Sequence, residues 1–406
     1  MLSQTELPTA QVATAIDTCA QPLRAVDKTI HDNPELGYKE FIAHDTITKF
    51  LEEQGFAVTR EAYGIATSFE AEYGSGGRLV IFCAEYDALP DIGHACGHNL
   101  IATSSLAGFI GLAGAIKQSG IEGRVRILGT PAEEGGAGKV KLLEAGAFRD
   151  DVAAAIMMHP TAEHSFPAGY RALAGVKFVA SLKLRVEFRG QTAHAGGEPW
   201  KGLNALDAAV SAYTSISMLR QQVRTDERIH GVIEDGGWVP NVIPEYSRVN
   251  YYIRSPTIKR GNELLDRVKK CFEAAATATG CTLNYIQAPS YTELRINNTL
   301  SYEFARIMGT MGEKVIPRSD DPFAFSTDMG NVSFAVPSFH GAFGVLAPKD
   351  AMPHQAKFAQ ASGTDGAHEV AISCAKGMAL LGWRVLTDDA VAAGAKKDFD
   401  TPEPDE

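Results

Sequence analysis

The sequence has few of the features that mark secreted, membrane-spanning or nucleic-acid-binding chains. Six cysteines, at 19, 83, 96, 271, 281 and 374, are scattered through 406 residues without framework spacing. That scatter excludes a disulfide scaffold and fits a reducing compartment, so a cytoplasmic chain is expected. The opening M-L-S-Q-T-E-L-P-T-A has neither a basic n-region nor an apolar h-region, which argues against a secretory signal. No apolar run reads as long enough to span a bilayer; the Ala/Gly-rich stretch 105–115 reads as a buried helix. Basic residues are in deficit: 38 Lys and Arg against 49 Asp and Glu give a net charge of −11, with no Lys/Arg run. Neither nucleic acid nor an anionic membrane is therefore expected as a partner. Internal repeats are also absent.

What is present points to a globular α/β chain. Hydrophobic and charged fractions of 45% and 21% are ordinary for a soluble protein, and 406 residues exceed a comfortable single core, so two domains are expected. Apolar spacing predicts helices over 12–30 and 40–54, with the turn cluster H-D-N-P-E-L-G between them. A strand at 65–73 precedes R-L-V-I-F-C-A at 78–84, whose unbroken apolar run suits a strand buried on both faces of a parallel sheet. A helix over 99–117, a strand at 125–130, a helix over 139–146 and a strand at 153–158 continue the alternation that builds an α/β sheet. From 176, V-K-F-V-A-S-L-K-L-R-V-E-F alternates like a strand with one wet face. A helix over 203–221, strands at 229–234 and 246–254, a helix over 260–279 and a strand at 281–287 complete the ferredoxin-like β-α-β-β-α-β order. The α/β pattern then resumes with a helix at 299–310, a strand at 332–336 and a helix at 365–387. The expected organisation is a mainly parallel α/β domain over 1–174 and 290–388, an inserted ferredoxin-like α+β domain over 175–289, and an acidic, disordered tail over 389–406.

The chemistry-bearing residues fall at strand ends, where open α/β sheets bind ligands. Strand 78–84 runs out into Glu85 and Asp87, strand 125–130 into Glu133 and Glu134, and strand 153–158 into His159. Any one of these is a polar loop on its own; the three together, beside H-A-C-G-H-N at 94–99, describe a site. Cys96 and His98 flank Gly97, which permits a tight backbone fold, and precede a helix whose N-terminus favours the metal-binding thiolate. A nucleophilic Cys/His enzyme is the sharper rival, but it has no use for the Glu133-Glu134 pair. Those adjacent carboxylates suit a division of labour in which one binds metal and the other takes a proton from an activated water.

The segments E-Y-D-A-L-P, H-A-C-G-H-N, P-A-E-E-G-G and M-H-P resemble the di-metal aminoacylase/carboxypeptidase family. Within it they resemble the amidohydrolase branch that includes auxin-conjugate and aminobenzoyl-glutamate hydrolases. G-H-N, G-W-V-P-N-V-I-P and S-T-D-M-G-N-V-S are most similar to the subgroup of β-alanyl-lysine-type dipeptidases. The resemblance spans roughly residues 25–385 and implies a di-metal α/β domain carrying a ferredoxin-like dimerisation domain. The sequence departs from the branch at Asn99, where many relatives have Asp, and at Glu85-Tyr86-Asp87, where many have Asp-Met-Asp.

By motif, the resemblance implies Cys96, His98, Glu134 and His159 as metal ligands, with Cys96 shared. The last ligand is a histidine near the C-terminus: His354 is favoured over His340, and His368, on a helix, reads as structural. Glu133 would be the general base and Asp87 an orienting carboxylate; His194 would reach the partner subunit's site as an oxyanion donor. Asn241 and Arg254 match positions that face the substrate. The donor set suits two divalent ions, zinc first, with manganese or cobalt as alternatives. The implied activity is hydrolysis of the amide bond of an N-acyl amino acid or dipeptide by a homodimer. A non-catalytic metal-binding homologue, and use of the same site for amide formation or exchange, are the rivals.

Overall fold

The computed structural model describes residues 7–149 and 151–402; the expectations for the first six and last four residues lie outside that span. The chain divides into two compact units, one of Met1–Lys177, Leu294–Phe323 and Asp328–Glu406, the other of Phe178–Glu293 and Ala324–Thr327. Among the described residues the strands are β1 (Val58–Arg60), β2 (Phe69–Ser75), β3 (Leu79–Ala84), β4 (Gly123–Gly129), β5 (Val152–Ala162), β6 (Ala172–Gly175), β7 (Ala180–Arg189), β8 (Arg228–Asp235), β9 (Tyr246–Ser255), β10 (Thr282–Gln287), β11 (Val315–Arg318) and β12 (Ser338–Val345).

In the first unit eight strands form one sheet in the order β1-β2-β4-β3-β5-β12-β6-β11. Its centre, β4-β3-β5-β12, is parallel throughout, with Phe82 opposite Ile127 and Ile156, and His159 opposite Ala342. Every residue of β3 is buried, as its uninterrupted apolar run requires. The helix His98–Ser119 follows β3 and is buried almost all round, which suits its Ala/Gly-rich composition. At Gly108 even a Cβ would stand 2.6 Å from Phe82 Cε1, so the helix lies directly on the strand. This helix and Asp365–Thr387 are long and apolar enough to cross a membrane, contrary to the sequence reading, but 94% and 67% of their apolar windows are buried inside the unit. Both are core helices here.

The second unit is a four-stranded antiparallel sheet in the order β10-β7-β9-β8, with helices Ala205–Met218 and Ile258–Thr279. Strand β9 buries alternate residues, and Val249, Tyr251 and Ile253 join Leu264, Val268 and Phe272 in a separate core. The two helices start at N-caps Asn204 and Thr257, whose side chains accept the first free backbone N–H groups.

Two expectations are corrected. Residues 332–336 are not a strand: Met329–Ser333 is a short helix, and the strand is β12, after Pro337. The glycines and histidine of S-F-H-G-A-F-G-V hid a central strand that pairs with β5 over eight positions. Nor is the whole tail disordered, because Asp389–Asp400 is a helix capped by Asp388, whose side chain accepts from the N–H groups of Ala390 and Val391. Its apolar face was outweighed in the sequence by the acidic, Pro-containing end. Val391 and Ala395 are buried, and Asn297 Nδ2 donates to the Ala395 carbonyl at 2.7 Å. Burying one valine is worth about 1.5–3 kcal/mol. Ending the chain at Asp388 should therefore lower the thermal unfolding midpoint measurably; an unchanged midpoint would show that this helix adds nothing to the core.

Candidate metal centre

Each loop at the carboxyl edge of the parallel core delivers a defined group. After β3 come Glu85 and Asp87, both buried. After β4 the chain turns sharply through Ala132 and Ala137, both in the left-handed region at φ 59° and 57°. That conformation costs a non-glycine residue about 1–2 kcal/mol and sets the direction of the intervening Glu133-Glu134 pair. A buried carboxylate, Glu40, accepts the Ala132 N–H at 2.8 Å and steadies the first of these turns. Cys96 and His98 sit on either side of Gly97, whose φ of 77° starts the helix. His159 lies within β5, which runs on to Ala162 rather than ending before the histidine.

The five ligands that the family resemblance implies come together in this unit. Cys96, His98 and His159 form one group, Cys96, Glu134 and His354 another, with potential donor atoms in each within 4.8 Å of one another. Cys96 belongs to both, as a shared ligand should. His354 is half-exposed, has a left-handed backbone at φ 68°, and places Nε2 3.2 Å from Glu134 Oε1. The other two histidines sit differently. His340, on β12, has its ring 6.2 Å from that of His159, and His368 Nδ1 lies 2.7 Å from the buried Asp27 carboxylate.

Hydrogen bonds fix which nitrogen of two of the candidate rings, His159 and His98, faces the centre. His159 Nδ1 lies 2.7 Å from the Pro160 carbonyl, an acceptor only, so Nδ1 carries the proton and Nε2, 3.3 Å from Cys96 Sγ, presents its lone pair. His98 Nδ1 bonds to Asp87 Oδ1 at 3.0 Å, again leaving Nε2 for the site. The second oxygen of Asp87 accepts the Glu134 N–H at 2.9 Å, so this carboxylate orients a ring and a loop together.

Electrostatics make the cluster hard to maintain alone. Burial pushes the Cys96 thiol well up, with the Glu134 charge adding to it, so the helix N-terminus does not by itself secure the thiolate. Burial and the neighbouring Glu85 and Glu134 raise Glu133 well above the usual carboxyl range. Burial acts to raise Glu134 too, but the His354 and His98 rings outweigh it and hold it at about 2. His159 is lowered to about 4 by burial and stays neutral, the form that binds metal. His98 Nε2 and Glu85 Oε2 are buried with no hydrogen-bond partner among the described residues. Sulfur, imidazole and carboxylate donors around unpaired polar atoms fit a pair of divalent cations.

The sequence reading noted Glu85 without giving it a role and missed Lys139 and Asp328. Lys139 is wholly buried and bridges Glu85 and Asp328. Lys139 and Lys141 both lie on the short helix Gly138–Glu144, and nothing in the sequence singles out the first. Of the remaining candidates, His194, Asn241 and Arg254 belong to the second unit. His194 Nδ1 accepts the N–H groups of Gly196 and Gly197, at 3.1 and 3.0 Å, which puts the neutral ring's proton on Nε2 and makes that atom a donor. The Asn241 carbonyl accepts the Ala195 N–H at 3.0 Å, beside that loop. Arg254 donates to His230 Nε2 at 3.2 Å and Ser326 Oγ at 3.0 Å, and among the described residues no carboxylate pairs with it.

Asp87 provides a direct test of the centre. Asp87→Asn keeps the shape but loses the charge behind His98, and should weaken zinc binding by about 10–100-fold in a competition titration. Unchanged affinity would show that the carboxylate does not serve a metal.

Known proteins similar in sequence and fold identify the family. The pattern of the peptidase family M20/M25/M40 matches residues 81–372. An Xaa-Arg dipeptidase of Mus musculus is 38% identical over 98% of this chain and 93% of its own length. One of the two p-aminobenzoyl-glutamate hydrolase polypeptides of Escherichia coli is 33% identical over 66% of this chain and 58% of its own length. Among solved structures, an aminobenzoyl-glutamate utilization protein from Klebsiella pneumoniae has the same fold with a TM-score of 0.71, at 20% identity, over 93% of this chain and 98% of its own. A dinuclear metal binding M20 peptidase from Bacillus subtilis superposes with a TM-score of 0.65, at 20% identity, over 91% and 99% of the two chains. With the motifs, the fold and these matches in agreement, the chain belongs to the M20/M25/M40 peptidase family and is a metal-dependent amide hydrolase.

Proposed function

We propose that this chain is a dipeptidase that releases a basic C-terminal residue, and that it acts as a homodimer with two divalent ions in each Cys96-centred site. The observation that carries the reaction is the pair of ligand groups sharing Cys96, with the buried Glu133 next to the ligand Glu134. Similarity over nearly the full chain to a protein named Xaa-Arg dipeptidase supports the substrate class. Zinc suits the thiolate and imidazole donors, with manganese and cobalt as alternatives. A cytoplasmic location is proposed on the six unpaired cysteines.

When bound, the ions supply Lewis acidity, which polarises a carbonyl and makes water acidic enough for a carboxylate to deprotonate. Cys96, His98, Glu134, His159 and His354 would hold them. Glu133 takes a proton from the attacking water, whose oxygen adds to the amide carbon. As the C–N bond breaks, Glu133 returns that proton to the leaving amine. Asp87 keeps His98 and the Glu134 loop in position during both transfers. His194, a donor through Nε2, would stabilise the oxyanion in the partner's site. Arg254, with no carboxylate partner among the described residues, would fork onto the substrate carboxylate.

The dimer reading is supported by apolar exposure on the second unit. Val232 and Ile233 on the edge strand β8, and Val210, Tyr213 and Met218 on helix Ala205–Met218, are 40–68% exposed. An uncovered edge with such residues is suited to pairing with another chain.

Glu133→Gln should lower kcat for an Xaa-Arg dipeptide by about 10²–10⁴-fold while metal content stays at the wild-type level. Retained turnover would remove Glu133 from the reaction. In a panel of Xaa-Arg, Xaa-Lys, β-alanyl-lysine, γ-aminobutyryl-lysine and N-acetyl amino acids, the basic dipeptides should have the highest kcat/KM; a preference for acetyl substrates would reassign the class. Mixing inactive His194→Ala chains with inactive Glu133→Gln chains should restore part of the activity, because each hybrid dimer has one intact composite site. No rescue under demonstrated subunit exchange would contradict action across the dimer.

A further inference from the structure

Glu85 does not appear in the ligand set implied by the family motifs, yet its position is that of a ligand. It follows β3 directly and is completely buried. Its two oxygens have different surroundings. Oε1 receives the ammonium of Lys139, while Oε2 has no hydrogen-bond partner and lies 3.6 Å from His98 Nε2. That nitrogen is also without a hydrogen-bond partner, since Asp87 holds the other side of the ring. Two buried atoms without hydrogen-bond partners therefore face each other at 3.6 Å, too long for a hydrogen bond. Bonds of about 2.1 Å meeting at a tetrahedral angle put two donors on one ion roughly 3.4 Å apart. Potential donor atoms of Glu85, His98 and Glu133 all lie within 4.8 Å of one another.

The charge balance points the same way. Lys139 is wholly buried and is shared between two wholly buried carboxylates, Glu85 and Asp328. One cation against two anions leaves this triad a negative charge in excess, and the part of that charge not held by Lys139 is at Glu85 Oε2. Asp328 also accepts the Lys139 backbone N–H at 2.8 Å, so the lysine is held at both ends and fixes Glu85 in turn.

We propose that Glu85 is a sixth protein ligand, bound to the ion that His98 holds, and that Lys139 and Asp328 are positioning residues that aim it. The inference rests on the two-ion reading of the Cys96 centre. Its chemical consequence is a metal preference. An added carboxylate makes the His98 ion's site harder, which favours manganese or cobalt there relative to a site of sulfur and imidazole alone.

The test uses metal-free full-length protein and Mn²⁺ alone, followed by titration calorimetry and by electron paramagnetic resonance of the free ion. Wild type should bind two Mn²⁺. Glu85→Gln keeps the size and an acceptor for Lys139 but removes the anionic donor. Mn²⁺ affinity at one site should fall at least tenfold, with the other unchanged, and Zn²⁺ should lose less. Lys139→Met should weaken the same site, because Glu85 is then present but not aimed. If Glu85→Gln fails to fold by circular dichroism, Glu85→Asp puts the same question with the charge kept and the reach shortened, and one ion should again weaken. Folded variants that bind two Mn²⁺ with wild-type affinities would overturn the role of Glu85 and leave the two-ion reading standing. A wild-type protein that binds fewer than two ions would overturn that reading, and this inference with it.

Discussion

Buried negative charge at the carboxyl edge of a parallel sheet is the constraint on which the rest of this molecule depends. Glu85, Asp87, Glu133 and Asp328 are each at most 7% exposed, and Cys96 and Glu134 adjoin them. The buried ammonium of Lys139 offsets part of that charge. Burying an ion without a partner costs several kcal/mol, and removing one member of a buried pair costs about 3–5 kcal/mol. Such a cluster is tolerated where function requires it, and divalent cations are the partners these donors suit. The fold accordingly places rigid elements behind the site: a sheet strand buried along its whole length, a helix lying directly on it, and left-handed turns either side of the Glu133-Glu134 pair.

The same constraint explains a departure from the family pattern. Asn99, next to the candidate ligand His98, donates through Nδ2 to Asp27 at 2.7 Å and to the Ser362 carbonyl at 3.0 Å. Asp27 also accepts from Arg24 and pairs with His368. An aspartate at 99 would set a second carboxylate against Asp27 and could not donate to either acceptor. The asparagine instead ties the start of the ligand-bearing helix to the segment 354–362 that begins with His354. One amide thus joins two segments that carry candidate ligands distant in sequence.

Much of this was legible in the sequence because the chemistry is local to short motifs. The C-G-H turn and the E-E pair place three candidate ligands and the proposed base within two short stretches, and the strands that carry them have periodic signatures. His354 was favoured over His340 and His368 by its place in a loop before a helix, and it is the one of the three that joins a candidate metal-binding group among the described residues. Other features lacked a local signal. Lys139 is one lysine among many until its burial between Glu85 and Asp328 is seen. Strand β12 was hidden because glycine and histidine depress strand propensity, and its central position in the sheet overrides that. The helix Asp389–Asp400 was masked by the charged residues at its end, while two small buried contacts decide its placement. The thiol of Cys96 was expected to gain from the helix N-terminus; in the structure burial outweighs it.

The most direct measurement is anomalous diffraction from crystals grown with zinc and, separately, with manganese, recorded on both sides of each absorption edge. The account predicts two anomalous peaks flanking Cys96 Sγ, one near His98 and His159 and the other near Glu134 and His354. A single peak, or metal bound elsewhere with none beside Cys96, would contradict it.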